Sequence, residues 1–197
     1  MRALLIWAAV VGAIGVPTGA AATSPLLEWR QPIYIAAGFA GIIALALLLL
    51  QPLLIGGYLP GLSPAWRRQA HRWTGAALVL AVLIHVGGLW KTSPPDVVDA
   101  LLFRSPTPFS AWGVVAMWAV FVTAIWALFR RRLRIRPRLW RIGHLCLAAV
   151  IVAGSVVHAL LIEGTMETVT KTALCVLVVV AALKLMLDTP RKVHRKG

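Results

Sequence analysis

Residues 33–54 carry no charged side chain, and residues 42–50 are aliphatic without a break. A helix of that length crosses the ~30 Å hydrocarbon core of a bilayer, where every backbone N–H and C=O must be paired inside its own segment. Five more apolar runs follow the same pattern, at about residues 3–16, 73–90, 111–128, 140–162 and 169–187. The composition agrees: 60% of the 197 residues are hydrophobic and 13% charged, with a mean hydropathy of +0.84. An ordinary soluble domain is about a quarter charged. Disordered chains, disulfide scaffolds and almost all soluble enzymes are thereby excluded. The expected fold class is all-α, a polytopic helical membrane bundle with six transmembrane helices.

The first run is readable in two ways. Arg2, the apolar stretch and the small residues Gly19, Ala20, Ala21 and Ala22 fit a cleavable signal peptide. They fit a short first helix as well, so five spans remain if residues 1–22 are removed. The outline is therefore 1–22 as helix or signal, 31–188 as the main domain and 189–197 as a basic tail.

A net charge of +14 would ordinarily suggest nucleic acid, but these charges lie between apolar runs and read as topology signals. Arg67, Arg68 and Arg72 separate runs two and three. Arg130, Arg131, Arg132, Arg134, Arg136, Arg138 and Arg141 separate or begin runs four and five. Arg191, Lys192, Arg195 and Lys196 follow run six. The positive-inside rule places these loops and the C-terminus in the cytoplasm, so runs three and five both lead outward. The membrane expected is a bacterial inner membrane. The arginine run serves as a topogenic, solvated loop and is also a candidate docking surface for an acidic cytosolic partner or anionic lipid headgroups.

Five acidic residues, Glu28, Asp96, Asp99, Glu163 and Glu167, fall on the outer side. They read either as loop solvation or as an attraction for cations. In the outer loop, Val97, Val98, Leu101, Leu102 and Phe103 between prolines suggest a short amphipathic helix.

Chemistry resides in the histidines. His71 and His85 stand 14 positions apart (85 − 71), and so do His144 and His158 (158 − 144). Fourteen residues make about four helical turns less ~40°, so each pair shares a face, with ~21 Å between its two levels. His71 and His144 fall at the cytoplasmic level, His85 and His158 at the outer one. His194 lies in the basic tail and reads as a solvated residue. A single intramembrane histidine is often an interhelical hydrogen bond. Four with matched gap, depth and direction mark a site. Facing neutral imidazoles suit iron in a flat macrocycle, giving two bis-histidine haem b groups.

Tetrahedral zinc is a poorer fit, because each level offers two ligands and no acidic or thiolate partner. Cys146 sits two residues from His144, about 200° round the helix, and reads as a small packing residue; Cys175 also falls inside an apolar run. No Cys-x-x-Cys-His occurs, which excludes covalent haem. Arg67, Arg68, Arg72 and Arg141 are the candidate partners of haem propionates, with Lys91 and Arg104 less supported at the outer level. A histidine relay in a haem-free transporter or proton channel remains the rival reading.

The segments HRWTGAALVLAVLIH and HLCLAAVIVAGSVVH, with His71, His85, His144 and His158 at their ends, resemble the ferric reductase-like transmembrane domain. NADPH-oxidase membrane domains, ferric reductases and the haem subunit of bacterial methionine-sulfoxide reductase systems are similar. The resemblance covers about residues 33–188. It implies six helices, two b-type haems and histidine pairs on the third and fifth helices as axial ligands. It also implies electron transfer outward, to ferric iron, a periplasmic oxidoreductase or dioxygen. Family chains often continue into a flavin- and nucleotide-binding module, and no GxGxxG follows the last run here. The expected donor is a separate cytosolic flavin reductase or membrane quinol. A quinol-coupled cytochrome subunit is the alternative within electron transfer.

Overall fold

In the computed structural model the backbone is described for residues 1–194 and the side chains for residues 1–188. The basic tail 189–197, with His194, falls outside the described side chains. Seven α-helices and one 3-10 turn (Pro25–Leu27) make up the regular structure, and no strand occurs among the described residues. In chain order the helices are α1 (Arg2–Ala22), α2 (Pro32–Gly56), α3 (Pro64–Thr92), α4 (Pro94–Leu101), α5 (Pro108–Phe129), α6 (Pro137–Leu161) and α7 (Thr168–His194). All but α4 are long and apolar enough to cross a membrane, six in total. The chain is an integral membrane protein.

Local chemistry sets the boundaries. Helices α2 to α6 each begin with a proline, whose missing N–H is one that the first helical turn leaves unpaired in any case. Ser63 caps α3 by accepting the Trp66 N–H at 3.2 Å. Gly57 ends α2 in the left-handed region (φ 78°), which glycine adopts without a side-chain clash. Pro17 and Pro52 sit inside helices, as membrane helices tolerate.

Helix α3 starts nine residues before the apolar run at 73 (73 − 64), so Arg67, Arg68 and Arg72 are helical rather than in a loop. Helix α4 is the amphipathic segment expected in the outer loop, with Val97 buried.

Two antiparallel hairpins, α2–α3 and α5–α6, form the body, and α7 packs against α2 and α6 with α1 alongside it. The core centres on α7, where Leu174, Cys175 and Val178 are fully buried. Ile42, Leu45, Leu48 and Leu49 of α2 join them, with Ala119 and Val120 of α5 and Ile151 of α6. Helices α3 and α6 each pack on their hairpin partner but hardly on each other. That separation decides where the histidines meet.

Candidate functional site

The histidine pairs expected from spacing are brought together. His71 faces His144 with ring centroids 6.2 Å apart and planes at 80°. His85 faces His158 at 6.3 Å and 80°. The helices carrying them pack little on each other, and the imidazoles reach across between them.

A metal–imidazole bond is ~2.0 Å and its nitrogen lies ~1.1 Å from the ring centre, so two rings on opposite sides of one iron stand ~6.2–6.3 Å apart. Both pairs have that separation. Among the described residues no three of His, Cys, Asp and Glu gather as a metal cluster. The donor set is therefore two neutral nitrogens per level, which fits a macrocycle supplying its own equatorial ligands. The buried Nδ1 atoms of His71 and His144 have no hydrogen-bond partner, so no hydrogen bond at Nδ1 accounts for the burial of these rings.

The second level is held more tightly. His85 Nδ1 lies 2.8 Å from the Ala37 carbonyl of α2. His158 Nδ1 lies 2.9 Å from the Phe109 carbonyl of α5. A carbonyl only accepts, so Nδ1 donates in both cases and the lone pair rests on Nε2. Both contacts use close helix approach at a glycine. A Cβ at Gly41 would stand 3.1 Å from His85 Nδ1, and one at Gly113 would stand 2.7 Å from His158 Nδ1. The Phe109 ring also meets His158 edge-on at 5.8 Å.

At the first level an aromatic side chain does the holding. Trp140, one turn before His144, stacks on it at 5.2 Å with planes 20° apart. Trp126 meets Trp140 edge-on at 5.5 Å, and the Arg130 guanidinium lies 5.1 Å over the Trp140 ring. On the other side of this level, the backbone carbonyl of Gln51 in α2 lies near His71 of α3 without making a formed hydrogen bond to Nδ1. The Gln51 side-chain amide donates to Thr74 Oγ1 at 2.8 Å, so Gln51 ties α2 to α3.

The four arginines expected near this level divide. Arg67, Arg68 and Arg141 precede a histidine by three or four residues and so share its helix face. Arg67 is half-buried and lies against the turn at Gly57. Arg68 and Arg141 are exposed. Arg72 lies ~100° round α3 from His71 and donates to Gln69 Oε1 at 2.7 Å.

At the opposite end, Glu167 accepts the Val169 and Thr170 N–H groups, both at 2.6 Å. These bonds hold its carboxyl below the usual carboxylate range. Lys171 is 5% exposed and caps the end of α6 through the Ile162 carbonyl at 2.8 Å. Cys146 is exposed and Cys175 buried, both as free thiols.

The carbonyl and glycine partners were missed in the sequence, although a signal existed. His85 and His158 are 73 positions apart (158 − 85), and Gly41 and Gly113 are 72 apart (113 − 41). The α2–α3 unit therefore recurs as α5–α6, with notch, carbonyl and imidazole in the same places.

Histidine pairs on two separated helices of a six-span bundle define a class, the membrane protein with stacked intramembrane imidazole sites. Residues 37–155 match the family model described as ferric reductase like transmembrane component. That match covers more than half the chain, which therefore belongs to the ferric reductase-like transmembrane family. It includes His71, His85 and His144 and ends three residues before His158. No curated protein and no solved structure is similar enough to the chain to match it.

Proposed function

We propose that this protein is a transmembrane b-type cytochrome that passes electrons from a cytoplasmic donor to an acceptor on the outer face. The observation that carries the reading is the pair of equal imidazole separations, 6.2 and 6.3 Å, at the span set by two axial bonds to one iron. His71 and His144 would hold one haem b, and His85 and His158 the other. Bound there, each haem supplies reversible one-electron chemistry. With two histidines holding each haem, the site would favour electron transfer over dioxygen binding. The levels lie ~21 Å apart along α3 and α6, one towards each membrane surface.

The chain's own residues hold and orient these sites. Carbonyls of α2 and α5 fix the ring tautomer at the His85/His158 level, and Trp140 seats His144. Arg67, Arg68 and Arg141 stand on the faces where propionates would need cations, with Arg72 turned aside. The arginine-rich turn 130–136 faces the cytoplasm in this reading, together with the C-terminus. An interior-negative potential then favours outward electron flow by about 2.3 kcal/mol per charge per 100 mV. The donor is a soluble flavin reductase or quinol, and the acceptor is ferric iron, a periplasmic oxidoreductase or dioxygen. Residues 31–188 form the haem-binding unit, and 1–22 are a first helix or a signal.

The test is the purified chain's spectrum. Low-spin b-type bands and two haems per chain are expected. A stoichiometry of one removes a level, and none leaves the imidazoles as a haem-free relay.

A further inference from the structure

The two histidine levels share spacing and ring geometry but differ at Nδ1. We propose that the protein tunes them apart. The Ala37 and Phe109 carbonyls take the Nδ1 hydrogen bonds of His85 and His158 through notches left by Gly41 and Gly113, and so hold that level at a lower midpoint potential than the His71/His144 level. This rests on the reading of each pair as the axial ligands of a haem.

The Ala37 carbonyl already accepts the N–H of the residue four places on, which is Gly41; Phe109 and Gly113 are related in the same way. A carbonyl has a second lone pair, and the imidazole reaches it only from the side where a Cβ on that fourth residue would project. At Gly41 such an atom would lie 3.1 and 3.2 Å from His85 Nδ1 and Cε1. At Gly113 it would lie 2.7 and 2.9 Å from the same atoms of His158. Glycine is thus required here for access to the acceptor, not for backbone freedom.

Donation from Nδ1 to a carbonyl makes the imidazole a stronger base at Nε2. A more basic axial ligand favours ferric over ferrous iron, which lowers the potential. The Nδ1 atoms of His71 and His144 make no such hydrogen bond. The Gln51 backbone carbonyl lies near His71, so the contrast is sharpest between His144 and His158. Arg67, Arg68 and Arg141 stand on the helix faces of His71 and His144. Positive charge favours the state with one more electron, so it raises the potential at that level. Both differences act in the same direction. In the balanced step, Fe(III) and one electron give Fe(II), with the Nδ1 proton kept on the ring. Intrinsic outward transfer is then uphill, and an electron waits at the His71/His144 level until the membrane potential or an outer acceptor draws it on.

The experiment is an anaerobic redox titration of the purified, haem-loaded chain, followed optically and by ferric EPR, with dithionite as reductant. The wild type should give two midpoints. The lower one should survive His144→Ala and vanish in His158→Ala. Gly41→Ala should move the lower midpoint upward and alter the g-values of that level, with the upper midpoint unmoved. Gly113→Ala, with the closer contact, should give a larger upward shift or lose that haem.

Assignment of the lower midpoint to His71/His144 would overturn the proposal. So would a Gly41→Ala variant that moves both midpoints equally or neither. If Gly113→Ala does not accumulate, the wild-type assignment and Gly41→Ala decide the matter. A haem content of one per chain is a separate failure. It removes the two-haem reading itself, and this proposal with it.

Discussion

The α2–α3 hairpin and the α5–α6 hairpin present the same histidines 73 positions apart, but the rest of the molecule treats their turns differently. The turn after α2 is tied down. Tyr58 donates to Asp188 of α7 at 2.5 Å, Lys184 pairs with that aspartate at 3.3 Å, and the Lys184 ammonium lies 5.0 Å over the Tyr58 ring. The turn after α5 is left out. Arg130, Arg131, Arg132, Arg134 and Arg136 are exposed, and none makes an ion pair among the described residues. Arg134 even takes a left-handed conformation, φ 49°, which costs a residue other than glycine ~1–2 kcal/mol. A duplicated unit thus serves one purpose twice in its helices and two purposes in its turns. One turn anchors the bundle, while the other holds unpaired positive charge at the surface.

The largest expected effect tests the shared part of the comparison. His85→Ala or His158→Ala should abolish one spectral component entirely and stop reduction of an external acceptor. The remaining component should still be reduced from the donor side. His71→Ala and His144→Ala should remove the other component. If His85→Ala and His71→Ala abolish the same one, the pairing across α3 and α6 is wrong, and so is the equivalence of the two hairpins.

Next comes the unshared part. Changing Arg131, Arg132, Arg134 and Arg136 together to glutamine should slow reduction by a soluble flavoprotein by ~10-fold or more at low salt, since steering by surface charge reaches that size. The haem spectrum should not change. The wild-type rate should fall with added salt, because exposed charges are screened over ~8 Å at physiological ionic strength. Insertion must first be verified by protease accessibility, since these arginines also direct topology. Equal rates in correctly inserted protein would leave the turn a topogenic signal alone.

A smaller contrast separates the two ways of seating an imidazole. Trp140 acts through its side chain, whereas Phe109 acts chiefly through its backbone carbonyl. Trp140→Leu should lose ~0.5–1.5 kcal/mol of ring stacking, seen as a several-fold faster haem loss from the His71/His144 level. Phe109→Leu keeps the carbonyl and should change haem retention at its own level less. The reverse order would mean that the stack at His144 is incidental.

Much of this was legible because lipid allows so few backbone solutions. The six spans, the amphipathic α4 and the meeting of His71 with His144 and His85 with His158 follow from apolar length and a fixed rise per residue. What was not legible depends on contact between helices. The bond from Gln51 to Thr74 has no local sign in the sequence, because the two residues meet only across the hairpin. Ala37 and Phe109 take part through carbonyls, which every residue has, so no residue type announces them. The stacking of Trp140 on His144 was hidden too, since a position four before a histidine fixes the shared face but not the stacked plane. Only Gly41 and Gly113 left a trace, a spacing of 72 beside the histidines' 73.

The smallest effect concerns the anchored turn. Burial raises the Tyr58 phenol from its ordinary 10.0 to about 12, helped by its hydrogen bond to Asp188 and by that carboxylate's charge. A phenol with a raised folded pKa binds its proton more tightly in the folded state. Its contribution to stability is therefore complete below pH 10 and is lost as pH rises from 10 to about 12. Tyr58→Phe removes that contribution at every pH, at a cost of about 1 kcal/mol for one partly exposed hydrogen bond. In detergent, the wild type should melt a few degrees above Tyr58→Phe at pH 8, and the gap should close above pH 10. Lys184 is common to both proteins, so its own deprotonation largely cancels in the difference. A gap that persists unchanged to pH 12 would show that the ring's packing against Lys184, rather than the bond to Asp188, holds this hairpin to α7.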